Sequence, residues 1–260
     1  MTDQSIFVAC RGGGDRDGLW SPVGRLDREP DGGYRFVYTR GAKTLPGFSP
    51  FPGMDNLDTE YLSDSLFPLF ANRLLAKSRP EYEAFLTWGG FDPNNPPDPI
   101  ALLGVTGGRR ATDSLELFIC PQPDANGCFI SKFFLHGVRW MPAAAIERLN
   151  TLNVGDPLNL MVDIQNPYDP NAVMVRTCDN VPDRFMLGYV PRYLARDVNF
   201  LIGRCSPGRI RLTVERVNKD APTQQRLLCR MNACWPAGYR PCDGDEFKPL
   251  PAINSMAQTG

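Results

Sequence analysis

An aromatic ring, a carboxylate and two side-chain amides stand within six residues in Asn166-Pro167-Tyr168-Asp169-Pro170-Asn171. Pro167 and Pro170 each lock φ and remove a backbone donor. Asn166, Asp169 and Asn171 have short polar side chains that bond the backbone of their own turn. The expected product is a stiff loop holding Tyr168 and Asp169 in defined positions, on the kind of segment where binding residues concentrate. The ring can stack on a flat ligand, and the carboxylate can accept a hydrogen bond from a hydroxyl. Cations and further rings lie on either side in the chain, at Arg139-Trp140, Tyr189 and Arg192. The same residues also suit plainer roles. Tyr168 suits packing on a strand, Asp169 a cap for its own loop, and the two asparagines turn structure. Trp140 suits a core, and Arg192, behind Pro191, suits a solvated helix start.

Other chemistries are poorly served. The eight cysteines, at 10, 120, 128, 178, 205, 229, 234 and 242, include no C-x-x-C pair, so a zinc ribbon or thioredoxin-type site is not expected. Cys229, Cys234 and Cys242 with His136 are too loosely spaced for ordinary zinc ligation, and the expectation is reduced thiols in a reducing compartment. His136 is the single histidine, with no obvious Ser or Cys partner for nucleophilic catalysis. Arg11-Gly12-Gly13-Gly14 is not followed by the G-K-[ST] of a phosphate loop. Asp179 and Asp183 belong to a loop and not to a nuclease pair. Arg109-Arg110, after Gly107-Gly108, suits a solvated turn better than an anion site. No catalytic residue, metal or cofactor is expected, and the chain is not expected to be an enzyme.

The 260 residues carry a net charge of −1, unevenly spread. Residues 1–130 hold 12 Lys/Arg against 17 Asp/Glu, and residues 131–220 hold 12 against 9. A general nucleic-acid binder has a strongly basic domain, so any such binding here must be local, with few phosphate contacts. No apolar run approaches the length of a membrane span. The start, Met-Thr-Asp-Gln-Ser-Ile-Phe, lacks the features of a signal peptide, and a cytoplasmic location is expected.

The pattern along the chain predicts an α+β protein. Residues 1–125 form an N-terminal α+β domain with a hairpin and two helices. Its strands are 6–9, 23–26, 34–38 and 115–119, with Asp31-Gly32-Gly33 turning the hairpin. Its helices run over 65–76 and 80–88, with a shorter one over 100–105, and residues 44–59 form an irregular loop. Residues 121–127 are a linker. Residues 126–220 alternate strands (132–140, 158–164, 172–176, 186–190, 209–217) with helices opened by Pro142 and Pro191, as in a small partly open β-barrel of the OB or SH3-like kind. Residues 221–260 form a C-terminal extension, with one more strand at 227–231 and then a tail, on which Trp235 and Tyr239 suit docking on the domain better than docking on DNA.

The second domain resembles the HIRAN domain. The likeness is carried by Gly137-Val138-Arg139-Trp140, by the Leu-x-x-Gly-x-x-Leu-x-Leu run over 152–160, by NPYDPNAV, and by LGYVPRYLA beginning at Leu187. HIRAN domains stand at the front of some DNA-remodelling ATPases and as free-standing bacterial proteins, and characterised ones bind the 3′ end of single-stranded DNA. The resemblance implies that Trp140 and Tyr168 sandwich the terminal base. It implies that Asp169 accepts from the 3′-hydroxyl and that Arg139 and Arg192 bind phosphate. Tyr189, where the family often has His, is expected to hydrogen-bond a phosphate, and Asn166 of the loop is counted with these residues among the nucleic-acid contacts. The family usually has Tyr where this chain has Trp140. The N-terminal part is loosely similar to the small N-terminal domain of HipA-like proteins, through VGRL, GGYRFVY and YLSDSLFPLF, but the motifs of a kinase body are absent from this sequence.

The expected function is therefore non-enzymatic recognition of a single-stranded DNA 3′ end, in repair, fork processing or phage defence. The rival expectations are a regulatory protein that meets a protein partner through its acidic N-terminal half, and a toxin–antitoxin component related to HipA. No membrane partner is expected.

Overall fold

The computed structural model describes residues 5–12, 20–110, 114–180 and 184–250. The first half contains β1 (Ser5–Arg11), β2 (Trp20–Arg28), β3 (Tyr34–Tyr38), α1 (Arg40–Thr44), β4 (Tyr61–Ser63), α2 (Pro68–Ala71), α3 (Tyr82–Trp88), α4 (Pro99–Thr106) and β5 (Leu115–Phe118). The second contains β6 (Cys128–Phe134), α5 (Ala143–Asn150), β7 (Pro157–Val162), β8 (Val173–Thr177), β9 (Met186–Tyr189), α6 (Arg192–Arg204), β10 (Arg211–Val217) and β11 (Leu227–Cys234). Two compact units result. One comprises the described parts of 1–76, 98–120 and 242–260, the other 77–97 and 121–241. Gly13, Gly14 and Asp183, named above, and the last ten residues of the expected tail lie outside the described residues.

The first unit is built on an antiparallel sheet in the order β4-β3-β2-β1-β5. The period-two run of β3 buries Tyr34, Phe36 and Tyr38, as alternation requires. The Tyr38 hydroxyl accepts from the Phe51 N–H at 2.6 Å and donates to the Met54 carbonyl at 2.8 Å, tying the 44–59 loop to the core. α4 starts where Asp98 accepts from the Ile100 N–H, with Pro99 in its first turn. The expected helix over 65–76 shrinks to the four residues of α2. Its bonds tighten to Arg73 N to Phe70 O and Leu74 N to Ala71 O, a three-residue spacing that ends a helix. The expected surface tail also differs. Pro249 bridges Thr39, the Leu250 N–H donates to the Tyr38 carbonyl, and Asp245 pairs with Arg40 at 2.5 Å.

The second unit is an antiparallel sheet in the order β6-β11-β10-β7-β8-β9. It curls until its edges meet. Leu135 still bonds Leu227 beside β11, whereas the next residue, His136, exchanges both backbone bonds with Tyr189 of β9 at 2.9 Å. Among the described residues this one bridge joins the two edges and leaves the barrel otherwise open, the architecture expected. Val173, Val175, Leu187, Leu212 and Val214 point into it and pack against Leu194, Val198 and Leu201 of α6.

Three sequence expectations change here. β11 pairs with both β10 and β6, so the barrel continues past residue 220, and the strand assigned to an extension lies inside its sheet. Residues 80–88, expected in the N-terminal domain, join the second unit. The Asn218 amide donates to the Trp88 carbonyl at 3.1 Å, and Gly90 sits against Leu228. Cys128 and Cys234, directly opposed in β6 and β11, form a disulfide, where reduced thiols were expected. Spacing could not reveal it, because 106 residues separate the two. The expected docking of Trp235 and Tyr239 on the domain is present. Trp235 stacks on Phe129 at 4.4 Å, and Tyr239 stacks on Phe200 at 4.1 Å. Among the described residues, no helix is long and apolar enough to cross a membrane.

Candidate functional site

Four segments converge where β7 turns into β8. Val162 opposite Val173 is the last strand pair, and the Asp163 N–H to Ala172 carbonyl bond closes the loop behind it. Tyr189 at the end of β9 lies beside Met174, and α6 begins three residues later. His136, bridged to Tyr189, brings in the turn after β6.

The loop organises itself as its composition predicts. The Asn166 side-chain oxygen accepts from the Tyr168 and Asp169 N–H groups, both at 3.0 Å. Its amide nitrogen donates to Asp163 Oδ2 at 3.0 Å. Asp169 Oδ1 accepts from the Asn171 N–H at 2.9 Å. Asn166 is thus engaged inside the loop on both ends of its amide, and one oxygen of Asp169 caps its own turn. The other oxygen, Oδ2, lies 3.8 Å from Arg192 Nε, with both side chains partly open to solvent. Tyr168 has no such internal engagement of its ring and is 67% exposed.

Tyr189 binds the loop to the barrel wall. Its hydroxyl donates to Asp163 Oδ2 at 3.0 Å. Partial burial and then the adjacent Asp163 carboxylate push the phenol's pKa up, so it remains a donor throughout the neutral range. Asp163 therefore receives bonds from both Asn166 and Tyr189. Sequence reading passed over it as an ordinary strand residue. Its place three residues before Asn166, at the first position of a turn closed by the Asn166 N–H to Asp163 carbonyl bond, was the available signal.

The expected strand over 132–140 ends early. Gly137 adopts φ 72°, a left-handed conformation that a side chain disfavours, and a Cβ there would press within 3.2 Å of the Tyr189 ring. The chain turns into a 3-10 helix over Val138–Trp140, closed by the Trp140 N–H to Gly137 carbonyl bond at 2.9 Å. That turn carries Trp140 outward at 73% exposure. The Arg139 guanidinium stacks over the indole at 4.5 Å, a cation–π contact that steadies the ring. Gly188 allows the bridge itself, since a Cβ on it would lie 2.5 Å from the His136 carbonyl oxygen.

The structure thus pairs Arg139 with Trp140, Arg192 with Asp169, and Tyr189 with Asp163 and Asn166, all at one end of the barrel. Two large rings, Trp140 and Tyr168, stand open to solvent. Such an arrangement can stack a flat ligand, accept a hydrogen bond from a hydroxyl and neutralise a phosphate. No group of three His, Cys, Asp or Glu among the described residues is placed to hold a metal.

Residues 129–232 match the model of the HIRAN domain family. The match does not reach the segments that resemble HipA. Among solved structures, the chain is similar to the HIRAN domain of human HLTF, at 19% identity over 41% of this chain and 74% of that one, with a TM-score of 0.29. It is also similar to a protein from Lactobacillus plantarum, at 25% identity over 41% of this chain and 96% of that one, with a TM-score of 0.30. No curated protein matches. The curled sheet with its helices over residues 129–232 is thus the part of the chain that matches the HIRAN domain, a family of DNA-binding modules.

Proposed function

We propose that this HIRAN domain binds the 3′ end of single-stranded DNA at the convergence of the β7–β8 loop, the turn after β6 and the start of α6. The observation that carries the reading is the outward presentation of Trp140 and Tyr168, 73% and 67% exposed, beside a carboxylate and two guanidinium groups. In this reading the two rings take the terminal base, each stacking contact contributing roughly 1–3 kcal/mol. Asp169 accepts from the terminal 3′-hydroxyl with the oxygen its own turn leaves available. A 3′-phosphate would set negative charge against that carboxylate and be refused. Arg139 and Arg192 take phosphates, Tyr189 holds the loop, and Asn166 organises it from within. The barrel unit is only mildly basic, so two or three phosphate contacts predict a shallow salt dependence, roughly 0.7 per contact in log–log slope.

Fluorescence anisotropy at about 100 mM salt, comparing a free 3′-hydroxyl, a 3′-phosphate and a closed circle, tests the reading. Binding to the first alone, weakened about tenfold or more in Trp140→Ala and Tyr168→Ala and lost in Asp169→Ala, is expected. Equal binding to the circle overturns end recognition. The acidic balance of residues 1–130 favours a second reading, in which that half meets a basic protein partner. A complex recovered in pull-downs with no DNA binding would support it. Repair, fork processing and phage defence are the settings in which a 3′-end reader of this kind would act.

A further inference from the structure

The outer face of the sheet continues away from the terminal site. Along β8, Val173 and Val175 point into the core, and Met174 and Arg176 alternate to the opposite face, Met174 largely covered at 8% exposure and Arg176 partly open. By register Met174 lies between Met161 on β7 and Tyr189 on β9, which forms a row running from the candidate site across three strands. One step further along the strands, Arg176 lies between Asn159 and Met186. Met161 is 40% exposed and Met186 44%, and Arg176 is partly open. β7, β8 and β9 contain no Asp or Glu, so the face opposes an anion nowhere along these strands.

The two rows are two residues apart, about 6.4–6.8 Å along a strand, a step comparable to one nucleotide of an extended chain. The chemistry alternates suitably. Methionine is a soft, adaptable surface whose sulfur makes favourable contacts with aromatic rings, and arginine takes phosphate. We infer that the outer face of β7–β9, through Met161, Arg176 and Met186, is the track for the nucleotides on the 5′ side of the terminal one. This rests on the 3′-end reading above and extends it from one nucleotide to several. The track starts at Tyr189, whose hydroxyl holds the loop that carries Tyr168, so a strand leaving the terminal site meets this face without crossing another element of the sheet.

The test is a length series of oligothymidylates, from two to eight nucleotides with a free 3′-hydroxyl, titrated against the full chain and against Met161→Glu, Arg176→Glu and Met186→Glu. Affinity of the unaltered protein is expected to rise about tenfold or more between two and six nucleotides. The variants are expected to bind the dinucleotide as the unaltered protein does and to lose that rise. Unchanged affinity of all three variants at every length, as when the face serves a protein instead, overturns the track while leaving end recognition standing. Failure of the unaltered protein to bind any oligonucleotide overturns both. Photocrosslinking of the unaltered protein, with 4-thiothymidine three nucleotides from the 3′ end, keeps the question answerable if a variant misfolds. Adducts on β7–β9 peptides support the track, and adducts confined to other elements overturn it.

Discussion

Tyr189 ties together side chains that come from different elements. It accepts the Gly137 turn against its ring, exchanges backbone bonds with His136 and donates its hydroxyl to Asp163, which also receives Asn166. Tyr189→Phe removes the hydroxyl alone. A hydrogen bond to a charged acceptor at a half-buried position contributes roughly 1–2 kcal/mol. The variant is expected to lose that much unfolding free energy in urea and to bind a 3′-hydroxyl oligonucleotide several-fold more weakly, since the loop bearing Tyr168 loses an anchor. The pH dependence follows from the raised pKa. The phenol of the unfolded chain ionises near 10, below that of the folded one. Its contribution is therefore complete below about pH 10 and is lost as pH climbs through the folded value. The stability gap between the protein and Tyr189→Phe is expected to narrow above pH 10. A gap that stays constant to pH 11 would show that folding does not raise the pKa of this phenol.

The elements position the site through one closure, the bridge between the segment after β6 and the end of β9. Gly188 permits it, at φ 149° and with the His136 carbonyl where a Cβ would stand. Gly188→Ala forces that carbonyl to move, and overpacking of this kind costs about 1–3 kcal/mol. The expected outcome is a lower melting temperature together with loss of oligonucleotide binding, because the turn bearing Trp140 follows directly from the bridge. Gly155→Ala is the control. It also has a positive φ, 89°, but meets nothing within 4 Å, so it is expected to cost only the backbone penalty of about 1–2 kcal/mol and to bind normally. Equal binding losses in both would mean that the closure does not orient the site. The bulge between Val175 and Arg176 where β8 meets β9 is the kind of irregularity that re-aims side chains near sites.

The whole molecule assigns its residues in a way that linear order conceals. Residues 77–97 precede β5 of the first unit yet belong with the barrel, where Trp88 accepts from Asn218 and Gly90 lies on Leu228 of β11. A fragment over 121–241 leaves that part of the β10–β11 face uncovered. It is expected to melt at a lower temperature than a fragment over 77–241, or to aggregate, in thermal circular dichroism with the Cys128–Cys234 disulfide intact in both. Identical melting curves would show that the 77–97 segment adds nothing to the barrel.

Much of this was legible in the chain, and the division has a physical basis. Local rules are written in adjacent residues. Period-two alternation marked β3, β7 and β10, prolines at 142 and 191 marked the starts of α5 and α6, and the Asn and Pro chemistry of the 166–171 loop predicted its internal bonds. The resemblance carried by NPYDPNAV and LGYVPRYLA pointed to the family matched over 129–232. Tertiary structure alone decided what depends on contacts between distant residues. These are the closure of the barrel at His136 and Tyr189, the place of β11 inside the sheet, the capture of residues 77–97, the Cys128–Cys234 bond, and the outward turn of Trp140 behind Gly137. A sequence records which side chains each stretch offers. Only folding determines which of them meet, because burial and pairing act between segments as far apart as the 106 residues between Cys128 and Cys234.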